Sequence, residues 1–173
     1  MIRLIARVLR VLNSEAAPSQ ISLALCFSLI AGFTPLMSMH NVVVLLLVLL
    51  IRVNLASFLL GLVAFSGIAY LLDPLFHLAG LALLTATPLE GLWTTLYNTA
   101  LFRIARLNNT LVLGSLVISL VLFLPAYFLF NTAVVRYRGT VLAWVRTTRI
   151  AQIIKLSKLY KTYESLSFLG ERP

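Results

Sequence analysis

Apolar residues run almost unbroken from 20 to 32 and again from 36 to 51, and the pattern stops and restarts at Gly32-Phe33-Thr34-Pro35. Helices of those lengths reach roughly 20 and 24 Å, so neither alone matches a hydrocarbon core of about 30 Å. Gly32 permits a turn, and Pro35 lacks an N–H and pushes Thr34 out of the helical region. The expectation is a broken helical hairpin over 20–51, which either dips into a bilayer and returns or crosses as a short tilted pair. Residues 55–72 form a full span that ends at Asp73-Pro74. Small residues at 56, 57, 61, 64, 66, 67 and 69 let a second helix come close. From 75 to 107 the pattern breaks again: a short apolar run to Leu84, a stop at Thr85-Ala86-Thr87-Pro88, and a restart at Glu90. Trp93, Tyr97 and Phe102 then give this segment the aromatic character of a membrane interface. The second full span covers 111–135, with Pro125 as a kink.

At both ends the apolar residues share helical spacing with basic ones. Over 1–13, Arg3, Arg7 and Arg10 oppose Ile2, Ile5, Val8, Leu9 and Leu12, as in an interfacial amphipathic helix. Pro18 ends that pattern, and Ser19 is the expected cap of the next helix. Over 138–166, Arg146, Arg149, Lys155, Lys158 and Lys161 alternate with apolar positions, giving a basic amphipathic helix on the cytoplasmic side. The basic and apolar opening resembles a signal peptide but is read as retained.

Composition turns this pattern into a class. The chain of 173 residues is 61% hydrophobic and 11% charged, with a mean hydropathy of +1.01. Soluble domains average about 45–50% apolar and about 25% charged residues. The expectation is one all-α polytopic membrane domain over 1–173, with two full spans, two broken segments and amphipathic ends. Net charge is +9, concentrated near the two ends, which places both termini in the cytoplasm by the positive-inside rule. The basic segments suit anionic headgroups, and no nucleic-acid motif accompanies them, so no nucleic-acid partner is expected.

Two stretches resemble each other: "RVNLASFLLG" at 52–61 and "RLNNTLVLG" at 106–114. Each sets Arg-x-Asn at the mouth of a long apolar helix, comes after a broken segment, and meets a proline late, Pro74 and Pro125. With cytoplasmic termini, Arg52 and Asn54 fall on the inner face and Arg106 and Asn108 on the outer one. Two such units in opposite orientation make an inverted repeat, an arrangement found in transporters.

Polar residues inside apolar segments are costly and therefore informative. Thr34 and Pro35 mark the first break, and His40 and Asn41 come just after it, either lining a polar cavity or making an interhelical bond that fixes packing. Arg52, Arg103 and Arg106, with Asn54, Asn108 and Asn109, either guide phosphate headgroups or anchor at the interface. Asp73 and His77 lie one turn apart and either pair structurally or relay protons. Cys26 is the one cysteine and reads as a core residue. His40, His77, Asp73 and Glu90 are too scattered for a metal site, so no metal and no cofactor are expected. No nucleophile setting, carboxylate pair or phosphate loop appears, and no enzymatic activity is expected.

Taken together, "GFTPLMSMHN", "LLIRVNLASFLLG", "YLLDPLFH", "LWTTLYNT" and "ARLNNTLVLGS" resemble a family of small uncharacterised bacterial inner-membrane proteins, a branch of a domain-of-unknown-function group, over roughly residues 15–163. That resemblance implies a partner, a large membrane-anchored AsmA-like or TamB-like bridge protein of the lipid-transfer class. A looser likeness, in architecture and in the break at Gly32-Phe33-Thr34-Pro35, is to DedA-type membrane domains, although the first broken segment lacks their acidic residue. The resulting expectation is an inner-membrane partner that helps pass phospholipid between the bilayer and the bridge. Alternatives are a non-transporting anchor of that complex and a small-solute transporter.

Overall fold

A computed structural model describes residues 16–141, so the amphipathic helices expected over 1–13 and most of 138–166 lie outside the described residues. The chain divides into two units, Met1–Val134 and Val135–Pro173. Among the described residues all regular structure is helical, and no strand occurs.

Helix α1 is Pro18–Phe33, with Ala17 rather than Ser19 at its N-cap position. Pro18 suits the first helical position, where its missing N–H is not needed. The Ala17 N–H finds the Gln20 Oε1 at 3.2 Å, half of a capping box. The helix ends where Thr34, at φ −92° and ψ 154°, turns extended before Pro35. Helix α2, Met39–Leu50, runs back beside it, its Val44 and Val48 packed into the cluster of Ala24, Phe27 and Ile30. The broken hairpin predicted over 20–51 is therefore present, with helices of about 24 and 18 Å.

Helix α3 is Leu55–Leu84 and is continuous through Pro74, so the helix does not stop at Asp73-Pro74 and the segment 75–84 is its continuation. A proline removes one helical bond, and a helix survives that loss when apolar packing continues on both sides. Here Ala69 and Phe76 flank Pro74 in one cluster with Cys26, Leu29 and Phe33. The chain breaks only at Thr85, before a 3₁₀ turn at Thr87–Leu89. Two short helices come next, α4 (Glu90–Tyr97) and α5 (Ala100–Ile104). The Trp93 indole N–H donates to the Leu83 carbonyl at 2.9 Å, satisfying a group that the end of α3 leaves unpaired. Phe102 meets both Trp93 and Tyr97, with ring centroids 6.1 and 6.0 Å away, and this folds α5 against α4.

Helix α6, Thr110–Arg136, is likewise continuous through its proline, Pro125. It begins in the first unit and ends in the second, which also holds a π-helical turn, Tyr137–Val141. Both α3 and the stretch Thr110–Thr140 are long and apolar enough to cross a membrane.

The short α1, rather than a long helix, lies at the centre. Its Ile21, Ala24, Cys26, Phe27, Leu29, Ile30, Ala31 and Phe33 are each at most 7% exposed. It runs parallel to α3: Gly61 faces Ser28, and four residues on Phe65 faces Gly32. It runs antiparallel to the returning α6, with the Cys26 Sγ 3.6 Å from the Phe123 carbonyl and the Phe27 and Phe123 rings in edge contact. Helices α3 and α6 are antiparallel and nearly touch backbones, the Gly80 Cα facing the Thr110 carbonyl and the Gly114 Cα facing that of Phe76. Of the small residues expected to mediate packing on α3, Ser57, Gly61 and Ala69 are buried, whereas Ala56, Ala64 and Gly67 face outward.

Candidate functional site

The site is assembled around the turn between α1 and α2. Carbonyls of the last turn of α1 and of the turn itself are met by side chains of the same hairpin. The buried Thr34 hydroxyl lies 2.8 Å from the Ile30 carbonyl and 3.1 Å from the Asn41 Oδ1. The Asn41 amide, also buried, faces the carbonyls of Pro35 at 3.1 Å, Leu36 at 3.4 Å and Ala31 at 3.5 Å. One residue of α2 thus closes the open end of α1, and the same residue lines one of the cavities beside the turn. His40 behaves differently: both ring nitrogens are buried without a hydrogen-bond partner among the described residues, and the ring lines neither of the cavities beside the turn.

Those two cavities flank the turn and share Pro35, Leu36 and Met37 as lining. The first, of about 410 Å³, lies between the turn, α3 and α6, and brings Thr34 and Pro35 beside Ser66, Asp73, Phe76 and Ser115. Asp73 is its one charged residue. The second, of about 720 Å³, lies between the start of α2 and the chain entering α6, where Asn41, Arg106 and Asn109 meet Leu45, Ile104 and Val112. Arg106 is its one charged residue.

Arg52 and Arg106 occupy equivalent corners. Both have left-handed backbones, φ 53° and 54°, the only non-glycine residues of that kind among the described ones. Each comes directly after a helix C-cap, Ile51 and Ala105, at the position where glycine is usual. Beyond each, an asparagine caps the next helix. The Asn54 Oδ1 accepts from the Ser57 N–H at 2.8 Å, and the Asn109 Oδ1 accepts from the Leu111 and Val112 N–H groups at 2.9 and 3.3 Å. The counterpart of Asn54 is therefore Asn109, and Asn108 stands exposed beside it. The corner is what recurs in this chain, since α1 and α2 have 16 and 12 residues where α4 and α5 have eight and five.

The remaining candidates separate. His77 does not pair with Asp73; its Nδ1 lies 2.7 Å from the Thr110 hydroxyl on α6. Arg52 and Asn54 sit at the opposite end of α3 from Arg106 and Asn109, and Arg103 is exposed on α5. Among the described residues no three His, Cys, Asp or Glu side chains gather as a metal site. Sequence reasoning missed Tyr70, Phe76 and Ser115 as cavity residues. Ser66, Tyr70 and Asp73 lie on one face of α3 at spacings of four and three, a signal legible only once the helix is known to continue past Asp73.

The fold is thus an all-helical bundle with two helices of membrane-crossing length around a short central one. Within that class, the chain belongs to DUF2062, a family described as uncharacterized protein conserved in bacteria, which matches residues 3–141. A protein of Treponema pallidum (strain Nichols), itself described as uncharacterized, is 26% identical over 161 residues, covering 93% of this chain and 99% of that relative. No solved structure matches the chain.

Proposed function

We propose that the protein is a multi-pass protein of the bacterial inner membrane, with both termini cytoplasmic, that handles phospholipid and passes it between the bilayer and an AsmA-like bridge protein. The observation that carries this reading is the larger cavity. Its lining holds one guanidinium, Arg106, and the asparagines Asn41 and Asn109, among mostly apolar residues of the α1–α2 turn, α2, α5 and α6. A volume of about 720 Å³ with one cationic group and apolar walls suits the phosphate and upper acyl chains of an amphiphile, and Arg is well matched to phosphate oxygens. Opposite orientation of α3 and α6 with equivalent corners supports an inverted, transporter-like arrangement, with Arg52 facing one leaflet and Arg106 the other. The bridge partner rests on the family resemblance.

Exposed apolar residues along α2, Val42, Val43, Leu45, Leu46, Leu49 and Leu50, favour a second reading in which the protein anchors a partner's transmembrane helix without moving lipid. Lipid exchange separates the two. Purified protein in liposomes carrying fluorescent phospholipid is expected to speed transbilayer or bridge-directed exchange, and no acceleration, alone or with the partner, refutes transport. Arg106→Gly is the informative variant, because glycine accepts the left-handed backbone while the guanidinium is lost. Transport predicts a several-fold slower exchange with intact assembly, whereas the anchor reading predicts no change.

A further inference from the structure

The smaller cavity has a chemistry that the larger one lacks. Across α1, α2, α3 and α6, Asp73 is the only carboxylate, and it lines this cavity. It has no hydrogen bond or ion pair with another described residue, as it would if its role were structural. Of the four hydroxyl-bearing residues that line it, Ser115 and Thr34 are committed as donors, whereas Ser66 and Tyr70 have no acceptor among the described residues. The Ser115 hydroxyl donates to the Leu111 carbonyl at 2.6 Å, and the Thr34 hydroxyl donates within its own hairpin. Each then has only lone pairs to offer, and a carboxylate is acceptor-only. The cavity thus sets one carboxylate, with hydroxyls beside it, against walls of Phe33, Phe76 and Leu111. A lone carboxylate there is unsuited to phosphate and suited to a group with a positive charge, N–H donors and a carbon skeleton.

Asp73 lies about 27 Å along the 30-residue α3 from Leu55. The neighbouring cavity, which shares Pro35, Leu36 and Met37, holds the one guanidinium suited to phosphate.

Building on the lipid reading, we infer that the cavity around Asp73 recognises the primary ammonium of an aminophospholipid headgroup, making the protein selective for zwitterionic over anionic lipid. Three N–H donors meet the carboxylate and the hydroxyl lone pairs, and an anionic glycerol headgroup meets an uncompensated carboxylate.

The test is lipid retention by the full chain extracted from nanodiscs of equal phosphatidylethanolamine and phosphatidylglycerol. The expected result is about tenfold enrichment of phosphatidylethanolamine, the order of discrimination that one charge-assisted hydrogen bond supplies. Asp73→Asn, which keeps shape and removes charge, should abolish the preference, and Asp73→Glu should restore it in part. Stepwise N-methylation of the headgroup should erode it. Equal retention of the two lipids by the unaltered protein, or a preference that survives Asp73→Asn, overturns the inference while leaving lipid handling intact. A preference present in choline chloride and lost in sodium chloride assigns Asp73 to a metal cation and also overturns it. Retention of neither lipid refutes the lipid reading and this inference with it.

Discussion

Asn41 shows how much one side chain can decide. A helix that ends inside an apolar environment leaves carbonyls without partners, each costing free energy. The Asn41 amide faces the Ala31 carbonyl near the end of α1 and the carbonyls of Pro35 and Leu36 in the turn, that of Pro35 also accepting from the Ser38 N–H, and its oxygen meets the Thr34 hydroxyl. Replacing it with alanine removes those bonds at a site only 4% exposed, so Asn41→Ala should destabilise the protein by about 1–3 kcal/mol. Thermal unfolding in detergent measures this, and His40→Ala, which removes no hydrogen bond, serves as the comparison. From sequence, Asn41 was visible as a polar residue in an apolar run, but its neighbour His40 looked equally important. Only the tertiary arrangement distinguishes a side chain that satisfies a turn from one that does not.

Single elements arise from the pattern of apolar and breaking residues, with one instructive exception. Thr34-Pro35 breaks its helix and Asp73-Pro74 does not, although both are polar residues before proline. The difference lies downstream: Ser38 stands at the N-cap position of a new helix three residues after Pro35, whereas ten more residues of mostly apolar helix extend beyond Pro74. Contact between α3 and α6 depends on backbones that approach within the reach of a missing Cβ. A Cβ at Gly114 would fall against the carbonyl of Phe76 and 2.8 Å from the Gly80 nitrogen, whereas Gly67 has nothing within 4 Å. Gly114→Leu should therefore force α3 and α6 apart and lower the unfolding temperature, at a cost of about 1–3 kcal/mol or more. Gly67→Leu should leave stability nearly unchanged.

For the whole molecule, antiparallel α3 and α6 place Arg52 and Asn108 at opposite ends, and the larger cavity places Met37 with Arg106 and Asn109. Replacing Cys26 by alanine and introducing single cysteines tests this arrangement in spheroplasts and inverted vesicles. Positions 37 and 108 should react with an impermeant maleimide from one side of the membrane, and position 52 from the other. Met37→Cys labelled from the side that reaches position 52 would overturn this arrangement of the hairpin.

Composition and periodicity alone determined the helical class, the two long apolar helices and the break at Thr34-Pro35, because these depend on local backbone preference and on the count of apolar residues. The recurrence of Arg-x-Asn was legible too, although its register was not, since a capping bond depends on which of two adjacent asparagines stands just before the helix. Tertiary structure decided that a short apolar run occupies the centre, that α3 continues past Pro74, and that His77 turns from Asp73 to Thr110. Each of these depends on which surfaces meet across long sequence separations, and hydropathy assigns the same value to a leucine facing lipid as to one facing a helix.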